Sequence, residues 1–302
     1  KARMNVAANP MWDQLSGELG FPFERRGDYV VAVGEEELRA LDRLLQQGIA
    51  NGVPGMHMIS AEEMRLREPN INPQVSGALW APTGGLCDPF MVTVAAAENA
   101  VMNGIRTNRG VFLCRWAVNA AGIHSDTVMH KAGLRPDFKI SPRRGEYCVL
   151  DREEIVINNV LFPTPSRASK GILVTATLHG NAMVGPTSDP IKDKDGTEVS
   201  ADGLSSVWAG AQKLVPSLSP RFTQVSIDEL RRIGSAPCKS PFVNYTGDFI
   251  IEIPSEVQGM VNLGGIESPG LTSSPAIAEM VVDLLKDAGE ALTPKRDWNP
   301  IR

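Results

Sequence analysis

The chain has 302 residues, 42% of them hydrophobic, with a formal net charge of -5 and a pI near 5.5. That much apolar material builds a sizeable core over one or two domains, and an acidic balance with dispersed Lys and Arg excludes a general nucleic-acid-binding surface while leaving room for a small anion. Cys87, Cys114, Cys148 and Cys238 lie far apart with no C-x-x-C pair, which argues for reduced cytosolic thiols and against a zinc site or disulfide framework.

No apolar stretch approaches the roughly 18 to 20 residues that span a bilayer, and "KARMNVAANP" lacks the apolar centre of a signal peptide. Apolar residues at helical spacing mark "NPMWDQLSGELG" as a helix, "DYVVAV" as a strand and "EEELRALDRLLQQGIANG" as a stronger helix stopped by Asn51 and Gly52. Ser60 and Glu63 form a capping box for a short helix that Pro69 ends, and "VSGALWAP" returns to strand. In "DPFMVTVAAAENAVMNG", Asp88 caps a helix with Pro89 in its first turn. "GVFLCRWAVNAAG" follows as a buried strand, and its small final residues let backbone approach a ligand before "IHSDTVMHKAG" turns helical.

The middle third is richer in strands: "RRGEYCVLD", "NNVLFPTP" and a hairpin in "GILVTATLHGNAMVGPT" that turns at His179, Gly180 and Asn181. The helix "ADGLSSVWAGAQKLVP" interrupts them, and "GDFIIEI" and "GMVNLGG" then lead to "GGIESPGLTSSPAIAEMVVDLL". That last stretch reads in two ways. Ser273 or Ser274 caps an ordinary helix with Pro275 in its first turn and Ile277, Met280, Val281 and Leu284 facing a core. Alternatively, the glycine-rich turn and the free N–H groups of the helix start receive an anionic or polar ligand.

The order of elements predicts an α/β (α+β) protein of two interleaved domains. Residues 1–20, 82–139 and 200–302 are expected to build one, and 21–81 and 140–199 an antiparallel-sheet domain for substrate.

"NAAGIHSD", "SPRRGEYCVLD" and "GIESPGLTSSPAIAEMVVDLL", with "GPTSD" and "TGDFIIE" in order between them, together resemble the FAD-dependent oxidoreductases that include glycerol-3-phosphate dehydrogenases, L-2-hydroxyglutarate oxidases and D-amino-acid oxidases. The resemblance runs over nearly the whole chain. Its two ends, "KARMNVAANPMWDQL" and "WNPIR", are most similar to the catalytic subunit of the anaerobic-type glycerol-3-phosphate dehydrogenases. It implies a Rossmann-like FAD-binding domain, with Ala121 and Gly122 near the nucleotide half of the cofactor. It further implies that Gly265, Ile266, Glu267, Ser268, Pro269, Gly270, Leu271 and Thr272 present backbone N–H groups to the O2 edge of the flavin ring, where a reduced flavin gathers negative charge.

The family begins with a strand, a G-x-G-x-x-G turn and an acidic ribose clamp; none is present in the chain, whose first residue corresponds to a point after that unit. At "NGIRTNRGVFLC" relatives carry a longer hairpin. Missing disordered segments are the expected reason, ahead of a truncated or degenerate protein. No cysteine-rich iron–sulfur segment follows "WNPIR", and no metal is expected.

For an anionic substrate the resemblance points to Arg144, Arg231 and Arg143, since guanidinium forks hold phosphate and carboxylate well. Arg231, in "DELRRIGSAP", departs from the glycine-leucine-arginine form of relatives. Adjacent strand residues face opposite ways, so one of Arg143 and Arg144 meets substrate, or neither does and one forms a structural ion pair, Glu146 being the candidate partner. His179 belongs to an exposed turn, His124 follows the Asn-Ala-Ala-Gly turn toward the cofactor, and His57 and His130 carry no supporting motif; no general base is assigned.

The activity expected is oxidation of a small anionic secondary alcohol, glycerol 3-phosphate first, with hydride passing to FAD and electrons onward to a quinone or other acceptor, directly or through a partner subunit. A 2-hydroxy-acid or amino-acid oxidoreductase is the related alternative, and a noncatalytic fragment or partner-binding subunit the alternative of another class. The expected location is cytoplasmic, or peripheral at the inner face of the membrane.

Overall fold

A computed structural model describes residues 1–102, 114–153, 155–165, 171–219, 235–239, 248–257 and 259–296. The chain opens with α1 (Ala2–Ala8), α2 (Met11–Leu19), β1 (Phe23–Arg25), β2 (Asp28–Val33), α3 (Glu35–Ala50), β3 (His57–Ser60), α4 (Ala61–Arg67), β4 (Val75–Ala81), β5 (Gly85–Cys87) and α5 (Pro89–Met102). Next come β6 (Ala117–Asn119), a single 3-10 turn at Gly122–His124, α6 (Ser125–Lys131), β7 (Pro142–Glu146), β8 (Cys148–Val149), β9 (Val160–Pro163), β10 (Leu173–Ala176), β11 (Ala182–Gly185) and β12 (Asp189–Pro190). The described elements end with α7 (Ala201–Leu214), β13 (Ser235–Lys239), β14 (Ile250–Glu252), β15 (Met260–Gly264) and α8 (Gly270–Asp287).

Helix starts follow their local chemistry. Ser60 Oγ accepts from the N–H of Glu63 at 3.1 Å, Asp88 Oδ1 from those of Phe90 and Met91 at 2.9 and 3.1 Å, and Ser200 Oγ from that of Gly203 at 3.0 Å. Each satisfies a donor that the helix cannot. Gly52, at φ 79, ends the turn after α3, where a side chain would be strained.

Seven strands form the main sheet in the order β3-β4-β2-β9-β10-β11-β8. All its pairs are antiparallel except β2 with β9, which run parallel. The β10–β11 hairpin pairs Leu173 with Gly185 and Ala176 with Ala182 around its His179–Gly180 turn. Val31, Leu161, Val174 and Val184 have no exposed surface, and α7 lays Val207, Ala211 and Leu214 into the same core. α7, grouped by sequence with the first unit, thus packs on this sheet. β12-β7-β13 and β14-β15-β6 form two smaller sheets, and β1 pairs with β5.

α8 departs from the expected capping. It begins at Gly270, Pro269 is its N-cap residue, and Ser273 lies within the first turn, its N–H on Pro269 O at 3.0 Å. Pro275 stands inside the helix. A proline there has no N–H for the Leu271 carbonyl, and Leu271 is an exposed residue. α1, β1, β3 and β5 carry too little periodicity to register in the sequence.

Candidate cofactor and substrate site

β6 and β15 run parallel, with Val118 beside Val261 and Asn119 beside Asn262. Parallel neighbours bring two strand ends, and the loops that leave them, to the same edge of the sheet. There a cavity of about 430 Å³ opens between the strands and α8, lined by Val118, Ala120, Gly122, Leu263, Ile266 and Gly270 among others.

The loop after β15 is shaped by its glycines. Gly265 takes φ 63, and the N–H of Glu267 folds back onto Gly265 O at 2.9 Å. A Cβ on Gly270 would stand 2.7 Å from Ile266 Cγ2, so a side chain there would push the loop off the helix. No side chain caps α8. The first N–H groups of an eighteen-residue helix, and the positive end of its dipole, therefore stand at the mouth of the cavity. Lys1 Nζ pairs with the Glu267 carboxylate, and Trp12 Nε1 donates to Thr272 O at 2.9 Å, which moors loop and helix to α1 and α2.

Of the residues proposed for the cofactor, Gly122, Ile266 and Gly270 line this cavity. Ala121 and Gly265 adjoin them in the chain, Glu267, Ser268 and Pro269 complete the loop, and Leu271 and Thr272 form the exposed first turn of α8.

The arginines sit elsewhere, on β7. Arg143 donates from Nε to Ser188 Oγ at 2.9 Å. Arg144 forms an ion pair with Glu146 at 2.9 Å, and Glu146, with no exposed surface, also accepts from the N–H and Oγ of Ser200 at 2.8 and 3.0 Å. Arg144 Nε is buried and has no partner among the described residues. Arg231 lies outside the described residues, as do 103–113, most of "NGIRTNRGVFLC", and 297–302, which take in the whole of "WNPIR".

His179 is exposed in its turn, 3.3 Å from Asp88 Oδ2. His124 Nε2 lies 3.2 Å from Asp195 Oδ1, and the next residue but one, Asp126, pairs with Lys194 at 2.5 Å. Burial alone would raise the Asp126 pKa; the Lys194 ammonium and the N–H groups of Ile140 and Thr127 outweigh it and hold the carboxyl below its ordinary value. His57 Nδ1 meets Gly55 O at 2.9 Å, and His130 is exposed at the end of α6. Cys87, Cys114 and Cys148 are free thiols, and no group of metal-ligating side chains occurs among the described residues.

Two features escaped the sequence reading. One is the buried amide pair Asn119–Asn262, for which a lone Asn amid the apolar "GMVNLGG" is the available signal. The other is Glu68, 1% exposed, whose pKa burial pushes up to about 7.

The sequence matches the family described as FAD dependent oxidoreductase over residues 1–284. The chain belongs to this family. It is 34% identical to a glycerol 3-phosphate dehydrogenase of Caloramator mitchellensis, over 100% of this chain and 65% of that protein, so it spans just under two thirds of that relative's length. An L-alpha-glycerophosphate oxidase from Mycoplasma pneumoniae, solved reduced and with FAD bound, superposes with a TM-score of 0.85 at 29% identity, covering 100% of this chain and 83% of that one. An L-2-hydroxyglutarate dehydrogenase of Escherichia coli O17:K52:H18 is 29% identical over 62% of this chain and 50% of its own length.

FAD is the cofactor of this family, and the cavity can be judged against it. Its apolar walls, uncapped helix start and glycine-dependent loop suit a flat ring system that carries negative charge at one edge. Residues 1–302 contain no G-x-G-x-x-G turn, so the residues present fit the ring end of the dinucleotide and not its pyrophosphate.

Proposed function

We propose that this chain is the larger part of an FAD-dependent dehydrogenase that oxidises glycerol 3-phosphate to dihydroxyacetone phosphate. One observation carries the choice of substrate: likeness to proteins named for glycerol phosphate runs through the whole chain, whereas likeness to a hydroxyglutarate enzyme stops at 62% of it. Bound in the cavity, FAD supplies a hydride acceptor. The chain's own residues do the rest. Gly265 to Thr272 orient the ring and set the positive end of the α8 dipole against accumulating charge, and Val118, Leu263 and Ile266 keep water away. Arg144, paired with Glu146 but keeping an unpartnered Nε, holds the substrate anion with Arg231, and Arg143 flanks them. Residues 1–20, 82–139 and 200–302 would carry the cofactor and 21–81 and 140–199 the substrate, with α7 packed on the sheet of the second unit. Electrons leave to a quinone or another acceptor, directly or through a partner subunit. No described helix is long and apolar enough to cross a membrane, and we place the enzyme in the cytoplasm or against the inner face of the membrane.

Anaerobic mixing of the FAD-loaded protein with glycerol 3-phosphate, L-2-hydroxyglutarate and D-alanine tests this. Rapid bleaching of the yellow flavin by glycerol 3-phosphate alone is expected; bleaching by hydroxyglutarate alone would move the assignment to the hydroxy acid. Arg144→Lys keeps the charge facing Glu146 and loses the planar fork, so KM for the phosphate should rise about tenfold with kcat little changed.

A further inference from the structure

We infer that Asn119 and Asn262 are a positioning pair that ties the two cofactor loops together. The inference rests on the FAD reading above and concerns how this chain prepares the cavity. Asn119 ends β6 and is 4% exposed; Asn262 lies in β15 with no exposed surface. Asn119 Nδ2 donates to Asn262 Oδ1 at 2.8 Å and to Ser125 O at 2.9 Å, and Asn119 Oδ1 accepts from the N–H of Ala121 at 3.3 Å.

The backbone fixes which way these amides point. Ser125 O can only accept and the Ala121 N–H can only donate, so Asn119 must turn its nitrogen toward Ser125 and Asn262. Asn262 must then present oxygen to Asn119 and nitrogen outward, where Glu252 Oε1 receives it at 3.4 Å. One side chain thus holds the Ala120–Gly122 turn by its oxygen and the strand leading to Gly264 and Gly265 by its nitrogen. The bonds are direct, buried and short of alternatives, so loosening either partner leaves polar groups unpaired in a dry site. The turn and the loop that flank the cavity are set as one unit.

The donor sense makes the two positions unequal. Asp at 262 still offers an acceptor to Asn119, and its second oxygen faces Glu252, which is exposed and free to swing away. Asp at 119 brings a carboxylate against the Ser125 carbonyl and removes the donor both neighbours need. Asn119→Asp should therefore weaken FAD binding about tenfold or more, and Asn262→Asp by less than about threefold.

The experiment measures FAD affinity by flavin fluorescence, and backbone hydrogen exchange of the FAD-free protein over residues 120–126 and 263–270. Asn119→Asp should speed exchange about tenfold in both segments while β10 and β11 stay protected. Faster exchange in 120–126 alone would overturn the coupling, as would equal losses from the two aspartates, or unfolding that reaches β10 and β11. Should the unsubstituted chain take up no FAD while exchange still follows the predicted pattern, the FAD reading falls and the pair stands.

Discussion

The seven-stranded sheet and the β14-β15-β6 sheet are held by different forces. In the first, Val31, Leu161, Val174 and Val184 are wholly buried and α7 closes over them with Val207, Ala211 and Leu214, so its geometry follows from apolar area withdrawn from water. In the second, the apolar clusters are small, Ile123, Phe138, Ile140 and Ile250 in one and Met129, Leu134 and Met260 in the other, Val118 is 46% exposed, and a cavity opens between the strands and α8. Its strand ends are located by a buried amide pair and by glycines. One region is shaped by what it buries, the other keeps a cavity open beside its strands.

The largest effect should come from cutting the first. Leu161→Ala empties a position with no exposed surface in the middle of the sheet, and should cost about 3 kcal/mol in urea unfolding, within the range for buried leucines. Ile250→Ala, 6% exposed in the small cluster beside an open cavity, should cost about half as much, because the site can collapse. Equal losses would erase the distinction between the regions.

A smaller effect comes from pH. Glu68 lies at the end of α4, at the margin of the large core, with Oε1 unpartnered and Oε2 accepting from the N–H of Asn158 at 3.2 Å. Burial raises its pKa from 4.5 to about 7, the hydrogen bonds from Asn158 and Asn159 offsetting only part. The sign follows from linkage. Below pH 4.5 the carboxyl is protonated folded or unfolded; as pH rises toward 7 the unfolded chain ionises first, so the contribution to stability present at low pH is lost. Glu68→Gln should flatten that fall and exceed the unsubstituted protein at pH 8 by on the order of 2 kcal/mol. A remaining slope at lower pH belongs to Asp28, raised by burial to about 6. Matching pH profiles for Glu68→Gln and the unsubstituted protein would show that Glu68 is not the group responsible.

The two regions also differ in how far the sequence disclosed them. Strong signals, such as the Ser60 cap, Asp88 before Pro89 and the turn at Gly180, are local and legible, because caps and hairpins are decided by residues a few places apart; of the Ser60–Glu63 capping box the structure shows the serine's half, the Glu63 carboxylate pairing with Arg67 instead. The start of α8 was misplaced by four or five residues, since Ser273 and Ser274 have the chemistry of a cap while the chain had already entered the helix at Gly270. The Arg144–Glu146 pair was legible from strand alternation, but Ser200 joining it was not: that contact spans 54 residues. The Asn119–Asn262 bond spans 143. The glycine-rich loop and the small-residue turn that flank the cavity stand out in the sequence because their glycines and small residues are clustered; what aligns them was hidden because it is made at a distance.

The finest test separates stability from site within the smaller sheet. Val118 lies on β6, whose only strand partner among the described residues is β15, and its side chain is both exposed and part of the cavity wall. Val118→Asp removes little buried surface, so the unfolding free energy of the FAD-free protein should move by less than about 0.5 kcal/mol. The carboxylate nonetheless enters an apolar wall and opposes any ligand with negative charge at its edge, so FAD affinity should fall about tenfold. Unfolding and titration of the same variant check both. A large loss of stability without FAD would mean that β6 is held by apolar packing like the main sheet, and an unchanged affinity would place the cofactor away from this wall.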